Sequence, residues 1–409
     1  MSTTNESNDI KISAFNDDNV DNIIEQIKAL RPLFQENAAE TEKLRYPAPA
    51  CDEALKNLGM YYLLTPTRFG GGGVSTTAFA KIQMEVAKGD PSLSWVVQII
   101  NGTTMIATLT SDALQETLFA NGPTTVCGAY NPPGKAKKVD GGYIVNGSWP
   151  YSSGSRQAEW YQGGCMIDDS DGPVVPGINM AYIPMSEVEI VDSWYVTGMQ
   201  GTGSDTVVAK DVFIPEHMMV TMDKPFGHIE PGKKNIGAPS DFLPVVPTVR
   251  ATGLAQLLGA AEYMLEIIER DAPKKPIITT TYAKRTDSQV MVRNIGKIAS
   301  LLDNAKILLL DATAKLDTAA VEGRKLTQLE AAQHKAQCAS IVELIHDAVE
   351  KIMFIAGSSA FSLSNPIQKY WRDVHMGLRH VQNIPELGFE IYGRDRLGVA
   401  PNISPPGAY

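Results

Sequence analysis

The chain has 409 residues, 44% hydrophobic and 20% charged, proportions that exclude wholesale disorder, collagen-like repeats and low complexity. At ~150 residues per domain, the length allows two or three domains with sizeable cores. Lys and Arg number 36 against 46 Asp and Glu, a formal charge of -10, which is the wrong sign for a protein that neutralises nucleic-acid phosphates. Cys51, Cys127, Cys165 and Cys338 form no C-x-x-C pair, and the start MSTTNESNDI lacks the apolar core of a secretory signal. No uncharged apolar run reaches ~18 residues. A reducing cytoplasm and no membrane span are expected.

Residues 1 to about 15 read as a frayed polar terminus. From Asn19, apolar Ile23, Ile27, Leu30 and Leu33 recur at helical spacing. Helical pattern resumes over 51–58, 76–88 and 91–109, broken by Gly70 to Gly73 and by Gly89-Asp90-Pro91. Composition shifts at Asn121-Gly122-Pro123. Short β-rich runs follow at 124–127, 142–145, 180–183, 188–191 and 207–214, separated by Gly, Pro, Asn and Asp clusters. Residues 226–247 hold 3 glycines and 4 prolines with little periodicity and read as a loop or linker. Periodic segments at about 248–272, 283–321 and 326–358, then a shorter one at 365–381, predict an antiparallel bundle. The expected domains are therefore 1–122 helical, 123–225 β and 226–409 helical. Strands confined to the middle of a helical chain exclude the alternating βα order of a Rossmann domain or TIM barrel, and no G-x-G-x-x-G or P-loop motif occurs.

Nucleophile-elbow, H-E-x-x-H and paired Cys-His spacings are absent and there are only 6 histidines, so no metal centre is expected. His375 and His380, five apart, would point ~140° from each other on a helix and would not clamp one ion. Trp149-Pro150-Tyr151-Ser152-Ser153-Gly154-Ser155 concentrates hydroxyls beside the β segment. Such serines either donate to a cofactor edge or cap a turn, with Trp149 and Trp160 packing the strands. Gly198-Met199-Gln200-Gly201-Thr202-Gly203-Ser204 is a flexible loop that could approach a phosphate or an aromatic ring.

Taken in order, three stretches resemble the acyl-CoA dehydrogenase superfamily across nearly the whole chain: Trp149 to Trp160; Gly198 to Asp205 running into Val212-Phe213-Ile214-Pro215; and Tyr370-Trp371-Arg372-Asp373. The resemblance implies an α+β fold with an N-terminal helical domain, a central β-barrel and a C-terminal four-helix bundle. Dehydrogenases with a Y-E-G motif place a glutamate about nine residues after the arginine of the R-D pair. Here that neighbourhood holds His380 and Val381, and the next carboxylate is Glu386. Trp149 to Gly154 and His380-Val381-Gln382-Asn383 are instead similar to the W-x-[FY]-S-[ST]-G and H-[VI]-x-N motifs of flavin-dependent monooxygenases, the oxygenase components of two-component systems.

That resemblance implies reduced flavin (FADH2 or FMNH2) supplied by an NAD(P)H-dependent flavin reductase, with O2 as co-substrate. A flavin C4a-hydroperoxide would oxygenate a small aromatic such as a phenol or indole. Ser152, with Ser153 second, would contact flavin N5 through its hydroxyl, and His380 would face the substrate as base or imidazolium. Trp149, Trp160, Gly201, Thr202, Gly203 and Ser204 would flank the ring. Arg285, opening a bundle helix, with Gly357 and Ser358, would reach the flavin phosphate of a neighbouring subunit in a homotetramer built as a dimer of dimers. Relatives carry a further histidine after S-x-x-W-V. Here Ser92-Leu93-Ser94-Trp95-Val96 runs on to Asn101 and Thr103, which would take its place. Met105, Tyr130, Phe242 and Tyr392 are candidates for an aromatic-binding wall. A dehydrogenase-type flavoenzyme with an atypical base and a non-catalytic helical oligomer are the competing readings.

Overall fold

The structure, a computed structural model, describes residues 14–168, 179–220, 237–400 and 402–403. The polar start before residue 14 and the first part of the 226–247 loop lie outside the described residues. The N-terminal helices are α1 (Val20–Glu36), α2 (Ala38–Leu44), α3 (Pro49–Asn57), α4 (Thr76–Gly89), α5 (Pro91–Ala107) and α6 (Asp112–Leu118). Their starts are set by capping chemistry: the Ser75 hydroxyl accepts the Ala78 N–H to open α4, and the Asp90 carboxylate accepts the Ser92 N–H to open α5, whose first residue is Pro91. Ile27, Phe34, Phe79, Ile82, Val97 and Ile100 form the centre of this layer, each fully buried.

The strands are β1 (Val126–Val139), β2 (Gly142–Trp149), β3 (Trp160–Asp168), β4 (Asn179–Pro184), β5 (Glu189–Val191), β6 (Thr206–Pro215) and β7 (Met219–Val220). They form one sheet in the order β5-β6-β2-β1-β3-β4-β7. Only β1 with β3 is parallel, and the end strands β5 and β7 do not pair among the described residues. Two strands exceed the sequence reading. β1 was expected to end near Cys127 because Pro132, Pro133 and Gly134 signal a loop; it continues past them by a register shift between Ala129 and Gly134. β3 was hidden because Gly163 and Gly164 interrupt its apolar run. The glycines are there for Trp149: a Cβ on Gly134 or Gly163 would lie 2.6 or 2.7 Å from its ring.

The C-terminal helices are α7 (Val245–Asp271), α8 (Gln289–Val321), α9 (Gln328–Ala356), α10 (Pro366–Leu378) and α11 (Pro385–Arg396). The segment expected from 283 starts six residues later, because a 3-10 turn, Arg285–Asp287, comes first and Ser288 caps α8. The short helices α2, α6 and α11 were not read from the sequence, since one to three turns give too little periodicity. Leu254, Leu257, Leu258, Ile298, Leu302, Ile341 and Ile345 build the bundle core, joined by Met84 of α4 and Met199 of the β domain. Gly259 lets α7 lie directly on the Met84 backbone, where a Cβ would overlap the carbonyl. No helix among the described residues is long and apolar enough to cross a membrane.

Candidate active site

The serine loop that follows β2 is zipped to the loop that precedes β6. Ser152 N–H donates to Asp205 O (3.1 Å), Gly154 N–H to Thr202 O (3.0 Å) and Ser155 Oγ to Gly203 O (3.2 Å). Asp205 holds the pairing rigid: Oδ2 meets Arg156 at 2.9 Å, and Oδ1 accepts the Ser193 and Trp194 N–H groups at 3.0 and 3.1 Å. Charge-assisted bonds of this kind are stronger than neutral ones. Thr202 donates to the Met199 carbonyl (2.9 Å). With that proton committed, Ser204 must be the donor in its 2.6 Å contact with Thr202, and Ser153 the donor in its 2.6 Å contact with Ser204. The hydroxyls therefore run in one direction, Ser153 to Ser204 to Thr202 to Met199 O.

Trp95, on α5, joins this row to the histidine. Its Nε1 donates to Ser153 Oγ (3.2 Å), and its ring meets the His380 imidazole edge-on, with centroids 5.7 Å apart. His380 sits in the turn after α10, its N–H donating to Gly377 O (3.1 Å) and its carbonyl accepting the Asn383 N–H (2.8 Å). Asn383 Nδ2 also donates to Gly377 O at 3.1 Å, so the H-V-Q-N stretch is a self-closed turn that fixes the ring. Burial holds the His380 pKa below its ordinary 6.5.

The Arg372-Asp373 pair anchors the loop bearing Met199. Asp373 Oδ1 accepts the Met199 N–H at 2.5 Å, while Lys369 bridges Asp373 (2.8 Å) and Asp90 (3.0 Å), all three side chains being almost wholly buried. Arg372 pairs with Glu42 of α2 at 3.0 Å and donates to the Thr197 carbonyl. The carboxylates push the Lys369 pKa up against the opposing effect of burial. Met199 adopts φ +52° in this grip, a left-handed conformation uncommon outside glycine.

Several residues expected at the site have other engagements. Trp149 is fully buried, with Nε1 donating to Gly164 O (2.9 Å) and its ring 5.2 Å from Tyr161, so it packs the sheet rather than walling a cleft. Ser152, also fully buried, donates to Trp149 O (2.9 Å) and contacts Tyr161 OH (2.8 Å). Gly201 gives close approach to Thr41 and Ser92, and Gly203 N–H donates to Arg45 O (2.8 Å), so these glycines serve the N-terminal helices. Asn101 uses both ends: Oδ1 accepts from Leu64 N–H (2.9 Å), while Nδ2 donates to Met60 O and Val97 O (both 2.8 Å). Tyr130 OH donates to Gln162 at 2.9 Å beside the sheet core. Phe242 and Met105 pack in the N-terminal core, and Tyr392 packs on Ala331, Ala332 and Ile391. Trp160, half-buried on β3, packs against the sheet core. Thr103 is buried on α5 with Trp95. His375 meets Glu350 at 2.7 Å among Trp371 and His346. Sequence reasoning assigned no role to Trp95 or Asp373, although both lie inside stretches singled out for the resemblance.

At the far end of the bundle, Arg285 Nη2 reaches Ala356 O (3.5 Å), beside the turn of Gly357 (φ +74°) and Ser358. Arg285 has no carboxylate partner among the described residues, and the space beyond the Gly357 Cα is open. A guanidinium next to an open turn suits a phosphate. The Ser153 row with the Trp95 indole suits the polar edge of a flat heteroaromatic ring, so both ends fit a flavin.

Comparison with known proteins agrees. The profile described as acyl-CoA dehydrogenase N-terminal domain matches residues 27–121, and that of the C-terminal domain matches 252–385. The flavin-dependent monooxygenase oxygenase subunit HsaA of Mycobacterium tuberculosis is 31% identical over 382 residues, covering 93% of this chain and 96% of the relative. The chain belongs to this family of oxygenase subunits. It is a flavin-dependent monooxygenase on the acyl-CoA dehydrogenase fold, using reduced flavin that the two-component arrangement draws from a separate reductase. The dehydrogenase and scaffold readings fall away. The oxygenase component of an FADH2-dependent resorcinol hydroxylase from a Rhizobium species is 25% identical, covering 93% of this chain and 95% of its own. XiaF from a Streptomyces species, solved with FADH2 and glycerol, superposes with a TM-score of 0.88 at 26% identity, covering 95% of this chain and 97% of its own.

Proposed function

We propose that this oxygenase hydroxylates a small aromatic ring such as a phenol or an indole, with reduced flavin from an NAD(P)H-dependent reductase. Reduced flavin, when bound, activates dioxygen so that one oxygen atom can pass to the ring. The observation that carries the proposal is the run of contacts from His380 through Trp95 to Ser153, which would put a substrate-facing imidazole and a row of hydroxyls on one wall. Ser153 is the better partner for flavin N5: its own proton goes to Ser204, but its oxygen keeps a lone pair beyond the one taken by Trp95 and can accept an N5–H, whereas Ser152 is fully buried between the Trp149 carbonyl and Tyr161. A hydroxyl held at N5 would retain the proton there, and the buried surroundings would exclude water.

His380 is neutral near pH 7, since burial depresses its pKa. Its Nδ1 accepts the Gln382 N–H at 3.4 Å, so Nε2 carries the proton and offers a donor to a substrate oxygen. Thr103 is the remaining substrate-side candidate on α5. Arg285 with Gly357 and Ser358 would hold the flavin phosphate of a neighbouring subunit in a dimer of dimers.

The decisive experiment mixes the protein anaerobically with reduced flavin and then admits air. A long-lived near-ultraviolet absorbance distinct from oxidised flavin supports the reading; immediate reappearance of oxidised flavin defeats it. With phenol or indole and a generic reductase, product per flavin consumed should fall at least tenfold in His380→Ala, and an unchanged ratio would remove the histidine from the site.

A further inference from the structure

Arg250 lies near the start of α7, 3% exposed, and neither its Nε nor its Nη1 has a hydrogen-bond partner. Among the described residues no carboxylate neutralises it. The groups that face it, from α9, are His334, Lys335 and Cys338. None of them supplies a negative charge: the Cys338 thiol is pushed up to about 11 by burial, His334 is held down to about 3 by burial and then by Arg250, and Lys335 is lowered to about 8 by the same two causes. An isolated buried guanidinium is among the least favourable arrangements in a protein interior, and such charges are normally paired.

Residues beside the cluster touch the elements that carry Trp95 and His380. The carbonyl of Val249, next to Arg250, accepts from Gln98 Nε2 at 3.2 Å, one helical turn from Trp95. A Cβ on Gly102, one turn further, would meet Val249 at 3.2 Å. Leu257, two turns along α7 from Arg250, packs on Gly377, whose carbonyl accepts the His380 N–H. Gly388, in the first turn of α11, approaches the Lys335 carbonyl.

We infer that Arg250, with Lys335 behind it, is the binding site for an anionic oxygen group on the aromatic substrate. The inference rests on the proposed aromatic hydroxylation and narrows its substrates to acidic aromatics. The ring would lie between the Trp95 and His380 wall and the guanidinium, whose planar fork suits two oxygens. Two sources share this chemistry, a carboxylate substituent and a phenolate.

The test measures binding by calorimetry in the absence of flavin, comparing p-hydroxybenzoate with its neutral isostere p-hydroxybenzamide. Tighter binding of the carboxylate by tenfold or more in the native protein, lost in Arg250→Met and largely kept in Arg250→Lys, supports the carboxylate source. p-Nitrophenol binding as its yellow anion, at a pH where the free compound is colourless, supports the phenolate source if Arg250→Met abolishes the colour. Equal binding of acid and amide by the native protein, without the colour change, overturns the inference and needs no variant. A second readout is thermal: removing an unpaired buried charge should raise the ligand-free Tm of Arg250→Met, and a fall would show the guanidinium is structurally paired. If the near-ultraviolet absorbance forms but no anion preference exists, the inference fails and the proposed function stands.

Discussion

Ser153 and Ser152 are neighbours in sequence with different duties. In Ser153→Ala the proposed contact to N5 is lost, equivalent to about 1–3 kcal/mol; stopped-flow absorbance should show the near-ultraviolet species decaying roughly 5- to 150-fold faster, with a matching rise in free peroxide. Ser152→Ala should act first on the fold, lowering stability by about 1–3 kcal/mol in urea titrations because a buried Trp149 carbonyl and Tyr161 hydroxyl lose their partner. A further residue-level prediction concerns acid. His334 titrates at about 3 in the folded chain against an ordinary 6.5, so below 6.5 the unfolded chain binds a proton that the folded chain refuses. Its contribution is complete above 6.5 and declines by up to ~1.4 kcal/mol per pH unit as pH falls towards 3. Urea midpoints across that window should fall less steeply in His334→Gln. The motif spelling pointed to His380 and the serine pair, but not to which serine keeps an oxygen free: that depends on a carbonyl three residues back and a tyrosine on the adjoining strand, which enclose Ser152.

At the scale of elements, α10 positions the loop that carries Thr202 and Ser204. Asp373 grips the Met199 amide, and Lys369 ties the same carboxylate to Asp90 at the start of α5. Asp373→Asn should lower unfolding stability by about 3–5 kcal/mol, since Lys369 loses a buried counter-charge. It should also raise the flavin concentration needed for half-maximal activity more than it lowers the maximal rate, because it releases the loop and leaves His380 in place. The long helices were legible because their caps and periodicity agree, as in Ser75, Asp90 and the Thr327 and Glu330 box that opens α9. β1 and β3 were not, because their prolines and glycines exist to let strands pass Trp149 and follow the tertiary packing rather than local preference. Gly201 has the same dependence on tertiary packing: the close approach it permits is to Thr41 and Ser92, which are distant in sequence.

For the molecule as a whole, the end of the bundle near Arg285 leaves Phe354, Phe361 and Leu363 exposed, at 84%, 58% and 91%. A cluster of this kind is uncommon on a surface that stays in water, and it adjoins the turn proposed to receive a neighbour's flavin. Light scattering should report four chains, and Phe354→Asp combined with Leu363→Asp should reduce that number and weaken flavin binding together. The α–β–α order was readable from composition, whereas the joining of the layers through Met84, Met199 and Gly259 was visible only in three dimensions. The row of hydroxyls has a last consequence. It terminates on the Met199 peptide oxygen, which accepts from Thr202 and from the Trp194 indole and passes no proton on, so the row is a blind alley for exchange. Deuterium should enter only by the mouth through which the aromatic arrives, and a well-fitting guest that corks this mouth should slow isotope wash-in and wasteful oxidant leakage in the same proportion.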